Sequence, residues 1–125
     1  MWKKILPVLP VLLLTGCAST FTNLTPLEQP RNANNLYPVE VALKSQQQSL
    51  RWDSIHPYVL ANGQLYDMRR TPLMTNRWEG FVPLPPGADG VTYRYKFDYL
   101  YNDFTKSPQP GTTLSPAYKL TIFGQ

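Results

Sequence analysis

VTYRYKFDYLY, residues 91–101, carries the most regular pattern in the chain. Tyr93, Tyr95, Phe97, Tyr99 and Tyr101 occupy alternate positions, with Arg94, Lys96 and Asp98 between them. Successive side chains of a strand point to opposite faces. The aromatic set therefore shares one face and the charged set the other, until Leu100 breaks the order. The pattern predicts a half-buried strand whose aromatic face is core, since tyrosine buries a large ring while its hydroxyl reaches a partner at the edge of the layer. Tyr95 and Phe97 are the expected core residues, and Arg94, Lys96 and Asp98 should project from the outer face.

Strand patterns continue on both sides. LYPVEVALK, residues 36–44, sets Val39, Val41 and Leu43 on one face and Glu40 and Lys44 on the other. SQQQSL, residues 45–50, reads as a turn. IHPYVLANGQLYDM, residues 55–68, places two apolar pieces around Asn62-Gly63, a strong hairpin signal. RWEGFVPLPPGADG, residues 77–90, runs into Pro-Pro-Gly and Asp-Gly turn chemistry. AYKLTIFG, residues 117–124, aligns Tyr118, Leu120 and Ile122 on one side. Beyond the first residues no segment has helical periodicity over three turns. Thirteen prolines in 125 residues argue the same way, because proline removes the donor a helix interior needs. The expected fold class is all-β, a β-sandwich.

The amino terminus has a different character. Trp2, Lys3 and Lys4 form a basic start, and Ile5 to Leu14 is apolar but interrupted by Pro7 and Pro10. Charge, then about ten apolar residues, then small residues is the layout of a secretory signal. Ten helical residues would span about 15 Å, half of a bilayer core. The run ends at Cys17, the only cysteine in the chain. Leu14-Thr15-Gly16-Cys17 resembles the lipobox of bacterial lipoproteins at every position. The resemblance implies cleavage before Cys17, a diacylglycerol on its thiol and usually an acyl group on the new amine. One chain holds a protein marginally and two or more hold it stably. Cys17 is thus the expected lipidation site, which leaves no thiol for catalysis or a disulfide. Ala18 is not the aspartate that retains such proteins at the inner membrane, so the resemblance implies an outer-membrane location.

The expected organisation is a signal peptide over 1–16, lipidated Cys17 with a tether over 17–35, and one sandwich domain over 36–125. ASTFTNLTPLEQPRNANN, residues 18–35, is polar and without period; fully extended it would reach about 60 Å. The alternative is that Phe21 and Leu24 dock onto the domain or a partner.

A second resemblance covers about sixty residues, from Gly63 to Ile122. GQLYDMRRTPLMTNRWEGFVPLPPGADGVTYRYKFDY, residues 63–99, is similar to the early-set immunoglobulin-like modules that include glycogen- and starch-binding domains. The matching pieces are Pro72-Leu73, Trp78, Pro83-Leu84-Pro85, Gly87 and Tyr95-Lys96-Phe97. The resemblance implies an immunoglobulin-like sandwich, and one such fold hosts many functions. The sugar-binding members stack two tryptophans on the pyranose ring. This chain has Met68 at the first of those places and Asn102, Asp103 and Phe104 near the second. The lysine matches, as Lys96.

The full-chain charge is +4. Lys3 and Lys4 would leave with the signal, so ten basic residues face eight acidic ones in the mature chain, an excess of +2. That is no polybasic nucleic-acid surface, and no nucleic-acid partner is expected. His56 is the only histidine, set in Ile55-His56-Pro57, where a structural role is expected. No His, Cys and carboxylate spacing suits a metal; no Gly-rich loop opens a helix to hold phosphate; Ser49, Ser54 and Ser115 lack an activating motif. Asp98 and Asp103, which could lie near each other, are read as solvated turn carboxylates. Neither enzyme activity nor a cofactor is expected. The expected role is a non-catalytic binding or structural component of the bacterial envelope, an accessory subunit of a larger complex with a protein partner. The alternative is a glycan-binding module. Trp52, Tyr58, Phe81, Phe104 and Phe123 fit no inward set, and at least half are expected to complete the core. Aromatic residues are enriched at interfaces. The candidate binding residues are Lys96, Arg94, Asn102 and Phe104, with the loop around Asn102–Phe104 favoured.

Overall fold

The computed structural model describes residues 19–45 and 49–124. The expected signal peptide, Cys17, Ala18 and residues 46–48 of the expected turn lie outside the described residues. Within them the chain is all-β, with strands β1 Ser19–Asn23, β2 Glu28–Pro30, β3 Leu36–Ser45, β4 Leu50–Ala61, β5 Gln64–Asp67, β6 Arg69–Arg70, β7 Arg77–Pro83, β8 Gly90–Asn102, β9 Pro108–Leu114 and β10 Tyr118–Phe123. They form two sheets. One has the order β1-β3-β7-β6; the other has β2-β10-β8-β4-β5, with β9 also paired to β8. Neighbours are antiparallel except β2 and β10, which run parallel.

The aromatic strand β8 lies at the centre of its sheet, and its aromatic face turns to the core, as its alternation predicts. Tyr95 and Phe97 are fully buried, and Tyr93 and Val91 are buried beside them. The opposing sheet contributes Tyr37, Val39, Val41, Trp78 and Val82. Trp78 meets Phe97 edge-on at 4.9 Å and Phe21 does so at 5.3 Å, the geometry that the ring quadrupoles favour. Tyr99 and Tyr101 continue the alternation but are only half-buried. The hairpin at Asn62-Gly63 forms as expected, with both residues at positive φ, 55° and 73°. This is the two-residue turn whose twist matches that of its strands.

The expected tether is corrected at residue 19. Ser19–Asn23 pairs in register with Val41–Ser45 as the edge strand β1, and β2 pairs with the last strand. Thr25 and Gln29 are buried. The physical reason is a buried polar cluster that sequence periodicity does not display. The Tyr95 hydroxyl donates to Asn23 Oδ1 at 2.7 Å and Asn23 Nδ2 donates to the Tyr93 hydroxyl at 2.8 Å. Thr25 Oγ1 lies 3.1 Å from the Tyr95 hydroxyl and accepts the Glu40 N–H at 2.9 Å. A polar hydroxyl in the core needs such partners, and this segment supplies them. The sandwich therefore already includes Ser19 rather than starting at residue 36, and Phe21 docks on the core.

β9 and β10 run one after the other along the same edge of β8. Pro116 interrupts them, and Ser115 bridges the gap. Its N–H donates to the Tyr95 carbonyl at 2.9 Å. Its hydroxyl accepts the Tyr95 N–H at 2.8 Å and donates to the Pro116 carbonyl at 2.8 Å. A buried side chain here stands in for a missing ladder carbonyl. Pro108 and Pro110 sit in β9, at the edge, where a missing N–H discourages pairing with another chain.

Candidate functional site

The outer face of β8 brings together several residues that its alternation sets apart from the core. Arg94 is half-buried, and its Nε and Nη2 donate to the Ser115 carbonyl at 3.0 and 2.8 Å. It locks the strand junction rather than offering a free guanidinium. Lys96 Nζ lies 3.1 Å from Asp98 Oδ1 and 5.4 Å from the centre of the Tyr58 ring. Thr112 donates to Asp98 at 2.8 Å. Partial burial opposes ionisation of Asp98, but the bonds from Thr112 and Lys96 outweigh it and hold the carboxyl below the usual aspartate range. His56 stacks on Tyr58 with centroids 4.6 Å apart and lies 3.4 Å from Asp67 Oδ1. The result is a strip of mutually engaged polar groups. Among the described residues no group of three or more His, Cys, Asp or Glu could hold a metal ion.

The loop between β8 and β9 is built around Asp103. One carboxylate oxygen accepts the Thr105 hydroxyl at 2.6 Å, the Thr105 N–H at 2.8 Å and the Ser107 N–H at 3.0 Å. The other accepts Gln109 Nε2 at 3.1 Å. The Thr105 hydroxyl and the Ser107 N–H are the main reasons this carboxyl stays below its ordinary range. Lys106 closes the turn at φ 66°. Asn102 donates its N–H to the Ser49 carbonyl at 2.9 Å, which fixes the base of the loop. Phe104, at the tip, is 98 % exposed. Asp98 and Asp103 have separate partners and form no carboxylate pair of the kind that shares one proton.

Of the four candidate binding residues, Lys96 and Arg94 thus lie on the outer face of one strand, while Asn102 and Phe104 belong to the loop at its end. The expectation that at least half of the five unassigned aromatics complete the core is corrected. Only Trp52 does so, stacking on Trp78 at 6.4 Å. Tyr58 packs on the outer face, and Phe81, Phe104 and Phe123 are exposed. Their strand positions give the reason: Trp78, Gly80 and Val82 take the inward places on β7, which leaves Phe81 outward.

Phe81 borders a feature that the sequence reading did not assemble. A groove of about 300 Å³ lies on the outer face of the first sheet, lined by Leu24, Pro26, Pro38 and Phe81 and by the carboxylate residues Glu40 and Glu79. Glu40 and Glu79 are direct cross-strand neighbours, a like-charge pairing that costs stability unless neutralised. Arg69 answers Glu79 at 2.7 Å, while Glu40 has the Thr71 hydroxyl at 3.5 Å. The alternation of β7 already pointed Phe81 outward. The register that sets Pro38 and Glu40 beside it is non-local and had no signal in the sequence.

No protein-family model matches the chain, and a comparison with curated proteins gave no match.

Proposed function

We propose that this chain is a lipid-anchored lipoprotein of the bacterial envelope, held at the outer membrane through Cys17. Its immunoglobulin-like sandwich serves as a non-catalytic binding or structural component of a larger complex. The lipobox-like Leu14-Thr15-Gly16-Cys17 supports the anchor. The strand orders β1-β3-β7-β6 and β2-β10-β8-β4-β5 support the immunoglobulin-like reading, since such domains arrange their strands as ABED against a sheet containing GFC. The observation that carries the binding role is the groove at Phe81. A ring 56 % exposed stands beside prolines and two carboxylates, of which, among the described residues, only Glu79 has a cationic partner. On β8, by contrast, Arg94 is held by the Ser115 carbonyl, and Lys96 and Asp98 hold each other, with Thr112 also on Asp98. The groove suits a partner segment that offers apolar side chains with a basic flank.

An exposed ring beside carboxylates is also the chemistry that takes a sugar, so the glycan reading stands second. One experiment separates the two. The tagged protein is purified from detergent-solubilised membranes as the parent and as Phe81→Asp. The proposal expects a stoichiometric envelope protein with the parent and its loss with the variant. Retention on immobilised polysaccharide without a protein partner would favour the glycan reading. Identical behaviour of parent and variant in both assays would remove the groove from either role.

A further inference from the structure

We propose that the sandwich docks end-on against the lipid surface that holds its anchor, through Leu73 and Phe104. This rests on the anchored reading above and adds which end of the domain meets the membrane. Two peptide steps separate Cys17 from Ser19, so their Cα atoms lie within about 8 Å of each other whatever the backbone does. Ser19 is already part of β1. A lipid on Cys17 would therefore hold the end of the sandwich where β1 starts close to the bilayer, with no tether to lift it.

Pairing identifies that end. Ser19 lies opposite Ser45, the last residue of β3. β7 enters beside it, with the Leu43 N–H donating to the Asn76 carbonyl at 3.0 Å, so the 71–76 loop projects there. The second sheet presents the start of β4 at the same end, since Trp52 lines one concavity with Lys44, Ser45 and Asn76. Leu50 pairs with Tyr101, which places the β8–β9 loop there too.

These two loops carry the two most exposed large apolar side chains among the described residues. Leu73 is 102 % exposed and Phe104 98 %, and the next, Leu27, is 75 %. Both are held out by built structure. The Asp103 cap fixes the Phe104 loop. Leu73 adopts φ 67°, a conformation that is strained for a bulky side chain, in a turn closed by the Met74 N–H on the Thr71 carbonyl at 3.1 Å. Lys44 near the end of β3, Arg51 at the start of β4 and Lys106 in the β8–β9 loop are exposed at the same end. Asp53 is the exposed acid nearby, and Asp103 is engaged by its own loop. Apolar tips with basic neighbours match the boundary between acyl chains and anionic headgroups.

Cys17 is the only cysteine, so one added cysteine would give one labelling site on the acylated protein. The control position is Ala33, an exposed turn residue just before β3 and so at the opposite end from Ser45. Leu73→Cys, Phe104→Cys and Ala33→Cys are each purified in lipidated form, checked for a parent-like circular dichroism spectrum, labelled with a polarity-sensitive fluorophore and reconstituted in phosphatidylethanolamine–phosphatidylglycerol vesicles. The expected result is a blue shift at 73 and 104 and strong quenching there by nitroxide-bearing lipids, with neither at 33. If Cys17 is acylated and either loop probe is as water-accessible as that at 33, end-on docking is overturned while the anchor stands. If intact mass shows Cys17 unmodified, the anchor reading falls and the orientation falls with it.

Discussion

Tyr95 illustrates how a single position joins core and polar chemistry. Its ring is fully buried, and burial above all pushes its hydroxyl well above the ordinary tyrosine range. The hydroxyl is tolerated because Asn23, Thr25 and the Glu40 carbonyl surround it. Tyr95→Phe should cost about 1–3 kcal/mol, the penalty for leaving buried partners unpaired. Asn23→Ala should cost a similar amount. The double variant should lose less than the two singles together, as groups in one network do, and urea titrations of the four proteins give the coupling. Phe97→Ala, which removes the ring between Trp78 and Phe21, should cost about 3–5 kcal/mol. A harmless Phe97→Ala would reverse the assigned faces of β8. The titration directions set the pH profile. Tyr95 has a raised folded pKa, so its contribution is complete below about 10, the unfolded tyrosine value, and is lost above it. Asp98 and Asp103 have lowered folded pKa values. Their contribution is complete above about 3.9 and fades as pH falls below it. Urea midpoints measured across pH should therefore fall at both extremes, and Asp103→Asn should flatten the acid limb.

At the scale of elements, legibility followed the range of the interactions. β8, the Asn62-Gly63 hairpin and β10 are written locally, as alternation or turn chemistry, and the structure has them where the sequence places them. β1 and β2 are not written locally. STFTN contains one large apolar residue, Phe21, and becomes a strand because β3 pairs with it and the hydroxyls of Tyr93 and Tyr95 need Asn23. The same limit hid the groove, which exists only once the β3–β7 register brings Pro38 and Glu40 to Phe81 and Glu79. Lys96 and Phe104 were legible as outward residues, whereas the engagement of Arg94 by the Ser115 carbonyl depends on the junction after β9. Truncation tests the first point. A chain that starts at residue 26 should lose much of its cooperative unfolding transition relative to one that starts at residue 19, because β1 and the cluster at Tyr95 would be missing. A tether over these residues would make the two transitions coincide.

For the whole molecule, the early start of β1 changes the proposed picture from a domain on a leash to one seated against its membrane. In that arrangement the Phe81 groove lies on the side of the sandwich, open to a partner, while the Leu73 and Phe104 loops face lipid. Everything in it depends on what happens at Cys17, so the most direct measurement is the intact mass of the protein purified from membranes, beside that of Cys17→Ser. The expected parent chain begins at Cys17, shortened by residues 1–16 and heavier by a diacylglycerol and an acyl chain, and the Cys17→Ser variant carries neither lipid. A parent mass that shows an unmodified thiol, or cleavage at another residue, would contradict the anchored reading.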